Sequence, residues 1–83
     1  MNDRQIATIE RTNYACKLLN SENIPYEVKK IEIGHINIYK NDKVVMSYWA
    51  YTGKCYIPSL NYKERIGIKN AIKKYNKEFG NNE

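Results

Sequence analysis

The chain is poor in the residues that build most metal and redox sites. It contains one histidine and two cysteines, and Cys16 and Cys55 stand far apart and in no paired motif. One histidine with two separate thiols does not complete a usual zinc site, and a secreted domain of this size normally carries more disulfides. We therefore expect two reduced thiols in a cytoplasmic protein with no metal site and no cofactor.

Long apolar runs and an excess of acid are also missing. No apolar stretch approaches the length of a membrane span, and no basic leader is followed by an apolar run, so no membrane association is expected. The chain contains fourteen Lys and Arg residues and nine Asp and Glu residues, for a net charge of +5. Residues 54–83 contain seven of the basic residues and three of the acidic ones. A binding surface for phosphate or for an acidic protein is expected in this C-terminal part.

The length of 83 residues indicates a single domain. A chain this short buries only about 60–65% of the surface that its unfolded form exposes. Its core is therefore marginal, and a homodimer, which would bury more surface, is compatible with the sequence.

The pattern of residues predicts an α+β fold in the order α-β-β-β-(β)-α, an antiparallel meander with two helices packed on one face. Asp3 is expected to cap a helix from about Arg4 to Leu19. Its buried side is predicted to hold Ile6, Ile9, Ala15, Cys16 and Leu19. Alternating β-branched and aromatic residues then predict strands between Tyr26 and Ile57, with Asn41-Asp42 as a two-residue turn.

A second helix is predicted to begin between Asn61 and Gly67 and to end at Gly80, with residues 81–83 as a frayed tail. Asn61 followed by Glu64 has the form of a capping box and favours the early start, whereas Gly67 favours the later one. Helical phase separates the side chains of this segment into two opposite groups. The apolar stripe consists of Ile68, Ile72, Tyr75 and Phe79, and the basic side of Lys69, Lys73, Lys74 and Lys77.

These lysines are the predicted partner-binding or nucleic-acid-binding residues, and Lys54, Lys63 and Arg65 are expected to extend their patch. Glu substitutions at Lys69, Lys73 and Lys77 are predicted to abolish function and to leave the fold intact. Tyr48, Tyr51 and Tyr56 are predicted aromatic contacts, since tyrosine suits stacking and wet interfaces. By alternation Trp49 shares a face with Tyr51, and we assign Trp49 to the core.

Catalytic patterns are weak by comparison. Glu27-Val28-Lys29 has the Glu-x-Lys form found in metal-dependent nucleases, which also need a further acid such as Glu10 or Glu32. The same pattern is also expected where charged residues alternate on the solvent-exposed face of an edge strand. The chain is therefore expected not to be an enzyme.

Two resemblances bear on function. The order of elements is similar to that of double-stranded-RNA-binding domains, which place basic residues at the start of the last helix against phosphates, and Lys63, Arg65 and Lys69 fall in that region. Trp49 to Lys54 and the segment Gly67 to Ile72 resemble motifs of small accessory proteins of phages and prophages. This second resemblance implies stoichiometric binding, including inhibition of host CRISPR or restriction machinery.

The sequence thus favours a phage-type accessory protein that binds a nucleic acid or a nucleoprotein complex, in its sharpest form an anti-CRISPR inhibitor of a host defence nuclease. A nucleic-acid-binding module of transcription or replication is the main alternative. A small metal-dependent nuclease is the third.

Overall fold

A computed structural model describes residues 1–80 of the chain, so the predicted tail of residues 81–83 lies outside the described residues. It shows an α+β fold, with a helix, five antiparallel strands and a second helix, and confirms the predicted class. The strands lie in the sheet in chain order. The elements are α1 (Asp3–Ser21), β1 (Tyr26–Lys30), β2 (His35–Lys40), β3 (Lys43–Trp49), β4 (Lys54–Ile57), β5 (Tyr62–Arg65) and α2 (Gly67–Phe79), with short 3₁₀ turns at Ile31–Ile33 and Pro58–Leu60.

Helix α1 is capped by Asn2 rather than by Asp3. The Asn2 Oδ1 atom accepts a hydrogen bond from the backbone N–H of Gln5 at 2.8 Å, and the Gln5 side chain accepts one from the backbone N–H of Asn2 at 3.0 Å. This reciprocal pair is a capping box that sequence reasoning missed. Asp3 instead occupies the first turn, where its carboxylate interacts favourably with the helix dipole.

The buried side of α1 is partly polar. Thr8 and Thr12 are buried, whereas Ile6 is 42% exposed, so the predicted apolar stripe is wrong at its N-terminal end. The Thr8 hydroxyl donates to the carbonyl of Arg4 at 2.8 Å, and the Thr12 hydroxyl donates to the carbonyl of Thr8 at 2.7 Å. These bonds satisfy the hydroxyls without water, which removes most of the cost of burying them.

Strands β2 and β3 form a hairpin around the predicted turn, in which Asn41 and Asp42 both have positive φ. The register shifts by one residue after the first pairs of the hairpin, so that Ile38 lies opposite Met46. Such a bulge moves every following side chain of the bulged strand to the other face of the sheet. Tyr48, and not Trp49, therefore faces the helices.

The core lies between one face of the sheet and the two helices. Its sheet side is formed by Ile36, Ile38, Met46, Tyr48, Cys55 and Ile57, and its helix side by Ala15, Leu19, Ile68, Ala71, Ile72 and Tyr75. The assignment of Trp49 to the core is wrong. Tyr48 is only 3% exposed, and burial raises the pKa of its hydroxyl to about 12, so Tyr48 is not an exposed aromatic contact.

The later of the two predicted starts of α2 is correct, because the helix begins at Gly67. Asn61 does not cap it: Asn61 takes a left-handed conformation that closes the turn at Pro58–Leu60. The residues that follow form β5, a strand that was not predicted, paired with β4. Two hydrogen bonds, from the N–H groups of Ile66 and Gly67 to the carbonyl of Gly53, then tie the start of α2 to the turn between β3 and β4.

Candidate functional site

The face of the sheet opposite the helices, called here the open face, carries two parallel rows of side chains that run across the strands. In the first row, His35, Trp49, Lys54 and Arg65 lie opposite one another on β2 to β5. In the second row, Asn37, Ser47, Tyr56 and Lys63 do the same. Each row thus places an aromatic ring next to basic residues, and the rows are two residues apart along every strand, about 7 Å.

In the first row, the Trp49 ring stands between two neighbours. The His35 ring stacks on it with a centroid distance of 4.7 Å and an interplanar angle of 1°. The Lys54 ammonium lies 5.5 Å from the Trp49 ring centroid. Burial, aided by the nearby charge of Lys29, lowers the pKa of His35, which favours the uncharged form of the ring in this stack.

In the second row, the Lys63 ammonium lies 5.5 Å from the centroid of the Tyr56 ring. Tyr56 is half-buried and Lys63 is exposed, so both are accessible to a partner. Beside them the Ser47 hydroxyl donates to Asn37 Oδ1 at 3.2 Å. The two rows therefore share one arrangement, a ring with an ammonium group over it.

Negative charge on the open face is displaced toward β1. Glu27 lies opposite Asn37, where its carboxylate accepts a hydrogen bond from the Tyr39 hydroxyl at 2.9 Å and pairs with the Lys29 ammonium at 3.6 Å. Among residues 1–80 no three His, Cys, Asp or Glu side chains cluster as a metal site requires. The Glu-x-Lys motif is thus engaged in local contacts at the far end of the second row.

The structure divides the predicted basic patch into two surfaces. Lys54, Lys63 and Arg65 lie together on the open face, whereas α2 packs on the opposite face of the sheet through Ile68, Ile72 and Tyr75. The prediction of one continuous patch is therefore wrong. On α2, the residues Lys69, Lys73 and Lys77, called here the α2 lysine row, are exposed.

Lys74 does not belong to the exposed row. Its ammonium pairs with Glu78 at 3.6 Å and lies 4.5 Å from the centroid of the Tyr62 ring. These contacts hold Lys74 at the edge of the sheet beside β5. Of the seven basic residues predicted as a site, three gather on the open face, three form the α2 lysine row, and Lys74 is engaged within the fold.

Tyr51, another predicted contact, lies at the end of the open face beneath two arginines that sequence reasoning missed. The guanidinium carbons of Arg4 and Arg11 are 4.8 and 4.9 Å from the Tyr51 ring centroid. The Arg11 side chain also donates to the carbonyl of Tyr51 at 2.6 Å. Both arginines come from α1, and only tertiary packing brings them to the β3–β4 turn.

No protein-family model, no curated protein and no solved structure matches this chain. Neither helix of the part described combines the length and the hydropathy that crossing a bilayer requires. The aromatic and basic rows of the open face are thus the strongest indication of function.

Proposed function

We propose that this protein binds single-stranded nucleic acid on its open face, without catalysing a reaction. One observation carries the proposal: Trp49 and Tyr56 lie on neighbouring strands of an uncovered sheet face, each with a lysine ammonium 5.5 Å from its ring. Proteins that bind single strands combine aromatic rings, on which bases stack, with basic groups that follow the phosphates.

The energies of the contacts favour an exchange of partners on binding. An exposed cation–π contact is worth about 0.5–1 kcal/mol, whereas a base stacked on an aromatic side chain is worth about 1–3 kcal/mol. A base can therefore displace Lys54 from Trp49, or Lys63 from Tyr56. The released ammonium is then next to the base and free to pair with its phosphate.

A single strand fits this surface better than a duplex. Bases in a duplex stack on one another, so their faces are closed to aromatic side chains, while an unpaired strand offers them. Trp49 and Tyr56 are diagonal neighbours across β3 and β4, at about 7–8 Å. Two successive bases separated by that distance would each have a ring, with Arg65 as a third cation at the edge.

The test compares two triple variants with the same loss of charge. The first replaces Lys54, Lys63 and Arg65 with Gln, and the matched control replaces the α2 lysine row with Gln. Binding of a labelled single-stranded oligonucleotide is measured by anisotropy across a salt series. We expect the first variant to lose most affinity and its salt slope to fall by about 2, since each phosphate contact on a single strand contributes about 0.7.

The variant of the α2 lysine row distinguishes the open face from α2 as the binding surface. Affinity that survives in the α2 variant places the contact on the open face. Equal losses in both variants would mean that only net charge matters, and would overturn the proposal. So would tighter binding to duplex than to single strand, or no binding of the wild-type protein at low salt.

The α2 lysine row favours a second candidate, contact with an acidic protein surface. Lys69, Lys73 and Lys77 are exposed, and within residues 1–80 none of them makes a cation–π contact, which suits charge pairing more than base stacking. An inhibitor of a host defence nuclease, the phage-type role that the sequence favours, would use such a surface. Glu substitutions on this row that remove inhibition of a nuclease, while strand binding persists, would support this candidate.

A further inference from the structure

A cleft of about 410 Å³ lies where the first row of the open face meets α1. Its lining includes Arg4 and Thr8 of α1, Glu32 of the first 3₁₀ turn, and Trp49, Lys54 and Arg65 of the sheet. The Trp49 ring is therefore shared between the open face and the cleft. A ligand of the cleft would therefore lie beside any base that stacks on that ring.

Three cations and a single acid line the described part of this cleft, so its positive charge is only partly compensated. Lys54 and Arg65 are directly opposite on β4 and β5, an arrangement of like charges that destabilises a sheet. No ion pair of Arg4, Lys54 or Arg65 is found within residues 1–80, and Glu32 is the one acid in the lining there. The cleft thus carries a charge of about +2 that a bound anion would neutralise.

The Arg4 side chain packs on the fold in the absence of a ligand. Its guanidinium lies on the Tyr51 ring, and the Tyr51 backbone is fixed by the hydrogen bond from Arg11. A planar guanidinium donates two parallel hydrogen bonds to phosphate oxygens, and prior ordering reduces the entropy lost on binding. This favours a phosphate over a diffuse anionic surface.

The walls of the cleft favour the end of a strand over its middle. Thr8 of α1 and Ile33 of the 3₁₀ turn also line the cleft, which lies on the side of the first row away from the second row. A strand that runs from Tyr56 to Trp49 therefore reaches the cleft and α1 next. A terminal phosphate monoester carries about −1.5 to −2 charges at pH 7, against −1 for an internal diester. The net charge of the cleft matches the monoester.

We propose that the cleft binds the terminal phosphate of a single strand whose last base stacks on Trp49. This inference rests on the proposed function. It adds a preference for phosphorylated strand ends, which binding along the open face alone would not produce.

The test uses oligonucleotides of one sequence that end in a 5′-phosphate, a 3′-phosphate or hydroxyl groups. We expect one of the phosphates to raise the affinity of the wild-type protein by about 10- to 100-fold, the range of a charge-assisted hydrogen bond. Arg4→Gln should abolish this gain, whereas Lys17→Gln, which removes an exposed charge elsewhere on α1, should keep the gain. Because the two variants lose the same charge, their affinities for the hydroxyl-ended strand should be equal.

The outcomes separate this inference from the proposed function. If all strands bind equally well, the cleft has no role and the inference is overturned, while binding on the open face stands. If no strand binds, thymidine 5′-monophosphate is titrated against thymidine. Binding of the monophosphate alone, lost in Arg4→Gln, would support the cleft as a phosphate site, and no difference between the two would overturn it.

Discussion

Removing the Tyr56 ring isolates the second row of the open face. In Tyr56→Ala a base loses its stacking platform, which is worth about 1–3 kcal/mol. Lys63 covers this ring in the free protein, so a base also has to replace a cation–π contact of about 0.5–1 kcal/mol. We therefore expect a loss in the lower half of the stacking range, about 5- to 30-fold in affinity for a single strand.

Trp49 provides the assay, because it is the one tryptophan of the chain. Stacking of a base on its ring should quench its fluorescence in proportion to the strand bound, and anisotropy of a labelled strand measures the same binding independently. Tyr14→Ala is the matched control, since Tyr14 is 46% exposed on α1. The control should bind as the wild type does.

Two results would refute this reasoning. A strand that binds by anisotropy without changing the fluorescence of Trp49 would show that the first row is not the contact. Equal affinity of Tyr56→Ala and Tyr14→Ala would show the same for the second row. If both results are obtained, the basic residues of the open face act through charge alone.

Two further predictions concern the fold. Gly34 has φ +67°, and a Cβ there would lie 3.1 Å from the Ala50 Cβ, so Gly34→Ala should lower the free energy of unfolding by about 2–5 kcal/mol. Gly67 has φ +80° but no atom within 4 Å of a new Cβ, so Gly67→Ala should lower it by only about 1–2 kcal/mol. Urea titrations measure both values, and equal losses would contradict the tight packing around Gly34. Burial lowers the pKa of His35 from 6.5, so just below pH 6.5 the unfolded chain binds more protons than the folded protein. The free energy of unfolding should therefore rise with pH through this interval. If the pH dependence is the same in His35→Gln, it does not come from His35.

The sequence predicts the fold class and most elements because these depend on local patterns. Which face of β3 meets the helices depends instead on a single bulge. An unbroken two-residue hairpin around Asn41 and Asp42 would place Ile38 opposite Val45, and Trp49 would then share a face with the buried isoleucines. The observed shift pairs Ile38 with Met46 and turns Trp49 outward. Alternation alone does not reveal a bulge.

The start of α2 shows a second limit. The spacing of Asn61 and Glu64 satisfies the capping pattern, yet asparagine also tolerates positive φ. Here Asn61 adopts positive φ and closes a turn instead of capping the helix. The four residues of β5 gain backbone hydrogen bonds by pairing with β4, a long-range interaction that local patterns do not report. Because β5 was not predicted, the position of Lys63 opposite Tyr56 and of Arg65 opposite Lys54 could not be predicted either.

Only part of the candidate site could therefore be predicted from the sequence. Basic residues near the C-terminus and tyrosines in the sheet are evident from composition, and Lys54, Lys63, Arg65 and Tyr56 do gather on one surface. Arg4 is 47 residues from Tyr51, and its place on that ring follows from the packing of α1 against the sheet. Such contacts need the tertiary structure.

The order of the strands also bears on how the chain folds. Each strand pairs with the strand next to it in sequence, from β1 through β5, so every pairing closes a short loop. Short loops cost little entropy to close, and proteins dominated by local pairing fold fast. The sheet is able to grow hairpin by hairpin. The contacts between α1 and α2, and those of α1 with the β3–β4 turn, instead require distant parts of the chain to meet.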